Sequence, residues 1–79
     1  MNKIVDLAKQ KTPTGYQLAY VDDGVVTYSK KEESGYYSSI SCSLEQLENG
    51  DLEYMVQQGL TLSEESIKKI QRKYRLNNK

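Results

Sequence analysis

The 79-residue sequence has no histidine, tryptophan or phenylalanine, a single cysteine (Cys42) and a single proline (Pro13). Each shortage excludes a class of chemistry. Without an imidazole there is no base for a Ser-His-Asp or Cys-His nucleophile. One cysteine cannot make a disulfide framework, and without histidine it cannot complete a zinc site, which takes three or four protein ligands. No apolar run approaches the ~18–20 residues of a membrane span, and the first residues carry no apolar leader core, so neither feature is expected. No glycine pattern matches a phosphate-binding loop. An unpaired cysteine favours a reducing compartment, and the expected location is the cytoplasm. No cofactor and no metal are expected, and the chain is not expected to be an enzyme.

What is present suits a small folded domain. Hydrophobic residues make up 37% and the net charge is zero, with 11 basic and 11 acidic side chains. A disordered chain would combine few hydrophobes with a large net charge. The length, about half of the ~150 residues of a common domain, allows a single α+β domain over 1–79. The neutral total hides a segregated pattern. Residues 43–66 hold the acids Glu45, Glu48, Asp51, Glu53, Glu64 and Glu65 and no base, while residues 67–79 hold Lys68, Lys69, Arg72, Lys73, Arg75 and Lys79 and no acid.

Hydrophobic periodicity divides the chain into three parts. Within 1–15, Ile4, Leu7 and Ala8 recur at helical spacing beside Val5 and predict a short helix, which Thr12-Pro13-Thr14-Gly15 terminates. Residues 16–42 switch to alternation and predict a three-stranded antiparallel meander. Asp22-Asp23-Gly24 marks the first hairpin, with two competing registers. A two-residue loop pairs Tyr20 with Thr27 and Leu18 with Ser29. A three-residue loop pairs Tyr20 with Val26 and Leu18 with Tyr28, and is preferred because it collects Tyr16, Leu18, Tyr20, Val26 and Tyr28 on one face. The third strand, Tyr36 to Cys42, turns Tyr36, Ile40 and Cys42 to one inward face and Tyr37, Ser39 and Ser41 outward.

The helical part spans 43–76, with residues 77–79 read as a frayed tail. Ser43 and Gln46 have capping-box spacing, with Cys42 and Leu47 at the staple positions. One helix from Leu44 to Gln58 would place Glu48 and Asp51 in its apolar sector and Asn49-Gly50 in its middle. Two short helices are therefore expected, the second starting near Leu52 behind Asp51 and ending at Gly59. Ser63 caps the last helix, whose stripe of Ile67, Ile70 and Tyr74 faces inward. Truncating Ile67 or Ile70 to alanine in a core of this kind costs ~2–5 kcal/mol. The two or three C-terminal helices are expected to pack on one face of the sheet.

Few features carry chemistry. The pairs Asp22-Asp23, Glu32-Glu33 and Glu64-Glu65 splay apart on strand or helix, so none makes an acid/base dyad. Cys42 reads as a buried thiol. The outline 51–76 suggests a helix-turn-helix, but Met55 falls where a small residue is needed and Ile67 and Ile70 arrive about two residues late. All seven aromatic residues are tyrosine, which suits half-buried and interface positions. Tyrosine with lysine on a sheet also stacks single-stranded bases.

A three-stranded sheet over 16–42 followed by a helix resembles, in topology, the arm-type DNA-binding domain of some phage and transposon integrases. The resemblance implies a sheet that reads a DNA groove, whereas residues 1–42 carry five bases and five acids. The Lys/Glu/Asn/Tyr-rich, proline-poor and arginine-poor usage is that of an AT-rich bacterial or phage gene.

The function expected from these observations is a small non-enzymatic protein-binding module, a regulator, inhibitor or accessory protein of a bacterial phage or mobile element. Its candidate contacts are Tyr37, Tyr16, Glu45, Glu48 and Glu53. The alternative is a nucleic-acid-binding domain using the basic helix 64–76, with Lys68, Lys69, Arg72, Lys73 and Arg75 on phosphates. The partner is expected to be a protein, nucleic acid ranks second, no membrane is involved, and a homodimer is compatible with the sequence. The acidic block 43–66 is expected to pack against the basic helix and weaken its field within a Debye length of ~8 Å.

Overall fold

A computed structural model of the chain describes residues 3–77, with seven elements in the order helix, three strands, three helices. The first helix, α1 (Lys3–Gln10), ends where Pro13 and Gly15 follow, and it buries Ala8 completely. Strands β1 (Gln17–Asp22), β2 (Val25–Lys31) and β3 (Tyr37–Ser43) form one antiparallel sheet in sequence order. The α+β class, the N-terminal helix and the meander are as the periodicity predicts.

The first hairpin combines both registers. Asp23 and Gly24 have φ of 43° and 84°, the pair of positive values that a two-residue turn needs to match strand twist. Tyr20 accordingly sits opposite Thr27 and Val21 opposite Val26, until the register shifts at Ala19 and Leu18 meets Tyr28. The preferred three-residue loop is thus corrected at the turn, while its Leu18–Tyr28 pairing holds beyond the bulge. The extra residue re-aims the strand. Leu18 and Val21 pack against the core, and Tyr20 turns outward. Pairing of β2 with β3 is regular from Val25↔Ser43 to Lys31↔Tyr37.

Helices α2 (Leu44–Asn49) and α3 (Leu52–Gln58) follow the predicted break. Ser43 and Gln46 complete the capping box, and Gly50 and Gly59 end the two helices in the left-handed conformation. Asp51 occupies the N-cap of α3 without a side-chain cap bond. These helices and α1 bring Leu47, Leu52, Met55 and Ala8 onto Val26, Tyr28, Ile40 and Cys42 to form the core. The Tyr28 hydroxyl crosses this core and donates to the Ala8 carbonyl at 2.5 Å. A buried phenol is thereby satisfied, and so is a carbonyl of the last turn of α1. Tyr28 is the one fully buried tyrosine among the described residues; Tyr16 and Tyr74 are half-buried and the other four exposed.

The opposite face of β2 is also covered. Side chains alternate along a strand, so Val25 and Thr27 point away from the core that holds Val26 and Tyr28, yet both are buried. Thr27 and Ser41 share a hydroxyl–hydroxyl bond of 2.9 Å there. The cover is α4 (Glu64–Asn77), which contacts β2. The chain reaches it along the edge of β3, where the Ser41 amide donates to Thr61 Oγ1 and the Leu62 amide to the Ser41 carbonyl. Ser63 caps α4 by accepting from the Ser66 amide. The expectation that the C-terminal helices share one face therefore holds for α2 and α3 and is corrected for α4. Asn77 belongs to this helix, and the remainder of the expected frayed tail lies outside the described residues.

No residue of α4 is fully buried. Ile67 and Ile70 are half-buried, so the large truncation cost expected for them is corrected downward. In denaturant titrations Leu47→Ala should lose ~2–5 kcal/mol, whereas Ile67→Ala should lose about 1 kcal/mol, in proportion to the smaller area withdrawn from water. Gly24→Ala should be costly at a position where alanine is otherwise mild. A Cβ there would stand 2.8 Å from the Tyr74 ring, and φ is left-handed. Its loss should appear as weakened amide-exchange protection along α4 before the core opens.

Candidate functional site

The candidate residues are distributed over two sides of the sheet. Glu45 and Glu48 lie on α2 and Glu53 on α3, all exposed. Their positions follow from the inward pull of Leu47, Leu52 and Met55, which leaves the intervening acids outside. Asp51, at the N-cap of α3, and Tyr54, on α3, are exposed as well. Neither ion pair of the described residues involves Glu45, Glu48 or Glu53. Glu53 borders an open groove of about 490 Å³ between residues 10–14 and helices α2 and α3, with Pro13, Leu47, Leu52 and Val56 as apolar lining and Lys11 among its other polar groups.

Tyr37 is 63% exposed at the start of β3, on the face opposite Ile40. Tyr16 does not join it. Its ring packs against the core, with Lys30 Nζ 5.7 Å from the ring centroid. The two tyrosines thus occupy different sides of the sheet, and neither lies on α2 or α3.

The five candidate cations share α4 but not one environment. Arg75 is paired with Asp23 through a short Nε–Oδ2 contact, and this carboxylate raises the already high guanidinium pKa. Lys69 lies 3.8 Å from Glu65 one turn earlier. Lys68, Arg72 and Lys73 are exposed, with no ion pair among the described residues. Beyond Arg75, Gln71 Nε2 donates to the Asp22 carboxylate at 3.1 Å, and Tyr74 lies against Gly24. The acidic surface that α4 meets is therefore the β1–β2 turn. The expectation that acids of 43–66 pack against the basic helix is corrected for α2 and α3, which lie across the sheet; Glu45 alone approaches, sharing with Lys73 a cleft at the C-terminal half of α4. Because α3 and α4 lie on opposite faces, they do not form a helix-turn-helix.

The chemistry available is limited. Among the described residues no three His, Cys, Asp or Glu side chains are placed to hold a metal ion. No helix among them is long and apolar enough to cross a membrane. Cys42 is buried, and desolvation pushes its thiol up to about 11. Tyr20 and Tyr36, which alternation places on the inner face, are corrected to exposed positions, Tyr36 lying before the start of β3, and Tyr54, Leu60 and Leu76 are exposed residues that the sequence reading did not single out. For Tyr20 the missed signal is the bulge, which alternation alone does not reveal. Comparisons of the chain with protein-family models, with curated proteins and with solved structures gave no match, and so add nothing to the topological resemblance to integrase domains.

The buried acids set an alkaline limit. Burial raises Tyr28 to about 12, with a smaller contribution from Cys42, and raises Cys42 to about 11. Both folded-state values exceed the ordinary ones of 10.0 and 9.0. The folded protein therefore holds protons that the unfolded chain releases, and stability falls as pH rises through this range. Urea titrations should find this contribution intact below pH 9 and lost progressively between about 9 and 12. Cys42→Ala should remove the part that begins near pH 9, and the native thiol should react with a disulfide reagent only on unfolding.

Proposed function

We propose that the protein is a small non-enzymatic protein-binding module that works through the acidic outer surface of α2 and α3. The observation that carries this reading is that Glu45, Glu48 and Glu53 are exposed without an ion pair, and that Glu53 borders a groove with apolar lining. Such a surface suits a partner that presents lysines or arginines around an apolar anchor. The anchor supplies the affinity, and the charges steer encounter and reject acidic competitors. The absence of histidine and the buried state of Cys42 support a binding role over a catalytic one. The composition, that of an AT-rich gene, supports a regulator, inhibitor or accessory protein of a bacterial phage or mobile element acting in the cytoplasm.

Binding of nucleic acid by α4 as a whole is less well supported, because Arg75 and Lys69 already have carboxylate partners. The deciding experiment is affinity capture from a bacterial lysate with three baits. The wild type should retain a protein that the triple variant Glu45→Lys, Glu48→Lys, Glu53→Lys does not retain, and about 0.5 M salt should weaken retention through screening. The triple variant Lys68→Gln, Arg72→Gln, Lys73→Gln should retain it fully. Equal capture by all three baits would reject the acidic surface as the binding site.

A further inference from the structure

The face of the sheet that carries α4 is only half covered. The helix lies over Val25, Thr27 and Ser41 near the hairpin turn, where all three are buried. Further along the strands the same face continues with Ser29, Lys31, Tyr37 and Ser39, and on β1 with Tyr20. Tyr37 and Tyr20 are 63% and 58% exposed, and Lys31 is exposed directly opposite Tyr37. Tyr37 and Tyr20 stand two strands apart and four residues along the sheet, a separation of about 16 Å from strand spacing.

The cations of α4 divide between its two flanks and its outer side. At about 100° per residue, Lys68 falls beside Gln71 and Arg75, whereas Arg72 stands nearly opposite the stripe of Ile67, Ile70 and Tyr74, on the outer side of the helix next to Glu65. Gln71 and Arg75 bond Asp22 and Asp23 at the end of β1, so their flank borders the open half of the sheet. Lys73 falls on the other flank, in the cleft with Ser43, Leu44 and Glu45. Glu64, in the first turn, is an acid on the sheet-side flank and offsets part of its charge. Glu45, Glu48 and Glu53 belong to helices packed on the far side of the sheet. With layers ~10 Å thick, Glu48 and Glu53 lie beyond a Debye length of ~8 Å from Tyr37 and Lys31.

We propose that this open half-face, with Tyr20 and Tyr37 on the outer strands, Lys31 on the central strand, Lys68 on the near flank of the helix and Arg72 above it, binds single-stranded nucleic acid. The aromatic rings stack unpaired bases and the cations follow the phosphates. Stacking needs flat, exposed rings and tolerates any base, so binding is weakly sequence-dependent. A duplex hides its base faces and gains only the cations. This site differs from the acidic surface of α2 and α3, and each can fail without the other.

The test is fluorescence anisotropy with labelled oligothymidine, the matching oligouridine and a duplex of equal length, at low salt. Both single strands should bind the wild type more tightly than the duplex does. Binding should quench tyrosine emission, which no tryptophan obscures. Tyr37→Ala and Tyr20→Ala should each weaken binding about tenfold, the scale of one lost base stack. Lys68→Gln with Arg72→Gln should flatten the slope of log K against log salt by about 1.4. Lys73→Gln, on the other flank, should leave the slope nearly unchanged. These exposed substitutions should not move the melting temperature by more than a degree or two, which separates lost contacts from lost folding. If one single strand binds and the other does not, the site still stands and discriminates by the 2′-hydroxyl or the thymine methyl, which oligodeoxyuridine separates. No binding of either single strand at low salt overturns the proposal. So does binding that ignores both tyrosines and responds equally to Lys68, Arg72 and Lys73, which is simple attraction to a polycation.

Discussion

Burial of the central strand on both faces is the constraint from which the rest of the structure follows. Val25, Val26, Thr27 and Tyr28 are consecutive and all buried. Alternation sends two of them to each side. A three-stranded sheet is too small to protect such a strand by itself, so each face needs its own cover. Helices α1, α2 and α3 supply one cover and α4 the other. The two covers differ in quality. The first holds Leu47, Leu52, Met55 and Ala8 against the sheet, whereas the second contributes no fully buried residue and is fastened mainly at the hairpin turn. The molecule is thus a well-packed two-layer core with a third layer held at its ends.

The elements that local chemistry specifies were legible in the sequence. The capping box of Ser43 and Gln46, the break at Asn49-Gly50, the stop at Gly59 and the cap at Ser63 depend on residues within one or two turns, and the structure places each where the pattern puts it. Long-range matters were harder to read. The bulge at Ala19 responds to the need to bury Val21 rather than Tyr20, and that need comes from helices distant in sequence. The side taken by α4 was hidden because a stripe of Ile67, Ile70 and Tyr74 suits either face. A signal was nonetheless present: a run of large residues from Val25 to Tyr28 without polar alternation is the pattern of a strand covered twice. Of the candidate contacts, the exposure of Glu45, Glu48, Glu53 and Tyr37 and the inward face of Tyr16 could be read from periodicity, while the cover of Tyr16 by Lys30 could not.

The same layering gives the segregated charges a spatial meaning. Acids and bases adjacent in sequence across residue 66 would neutralise one another if the chain doubled back on one face. With the sheet between them, α2 and α3 keep an acidic exterior and the part of α4 after its first turn a basic one, the two mixing at the Glu45–Lys73 cleft and where Glu64 and Glu65 open α4. A neutral protein can then attract a basic surface on one side and phosphates on the other. Net charge predicts neither behaviour, because the field a partner meets is set by the charges within about one Debye length of the contact.

The hairpin turn sets which of the cations of α4 remain available. Asp22 and Asp23 serve the chain first as turn formers, Asp23 by accepting a positive φ. In that conformation they receive Gln71 and Arg75, while Gly24 leaves space for the Tyr74 ring. An exposed ion pair of this kind is screened by water, so it orients the helix more than it holds it. Orientation is the larger consequence. With Arg75 and Gln71 bound to the end of β1, the rotation of α4 about its axis is settled, Ile67, Ile70 and Tyr74 face the sheet, Lys68 is placed along its uncovered half and Arg72 stands above it on the outer side of the helix. A turn motif chosen for strand twist thereby decides which side of the basic helix borders the exposed tyrosines.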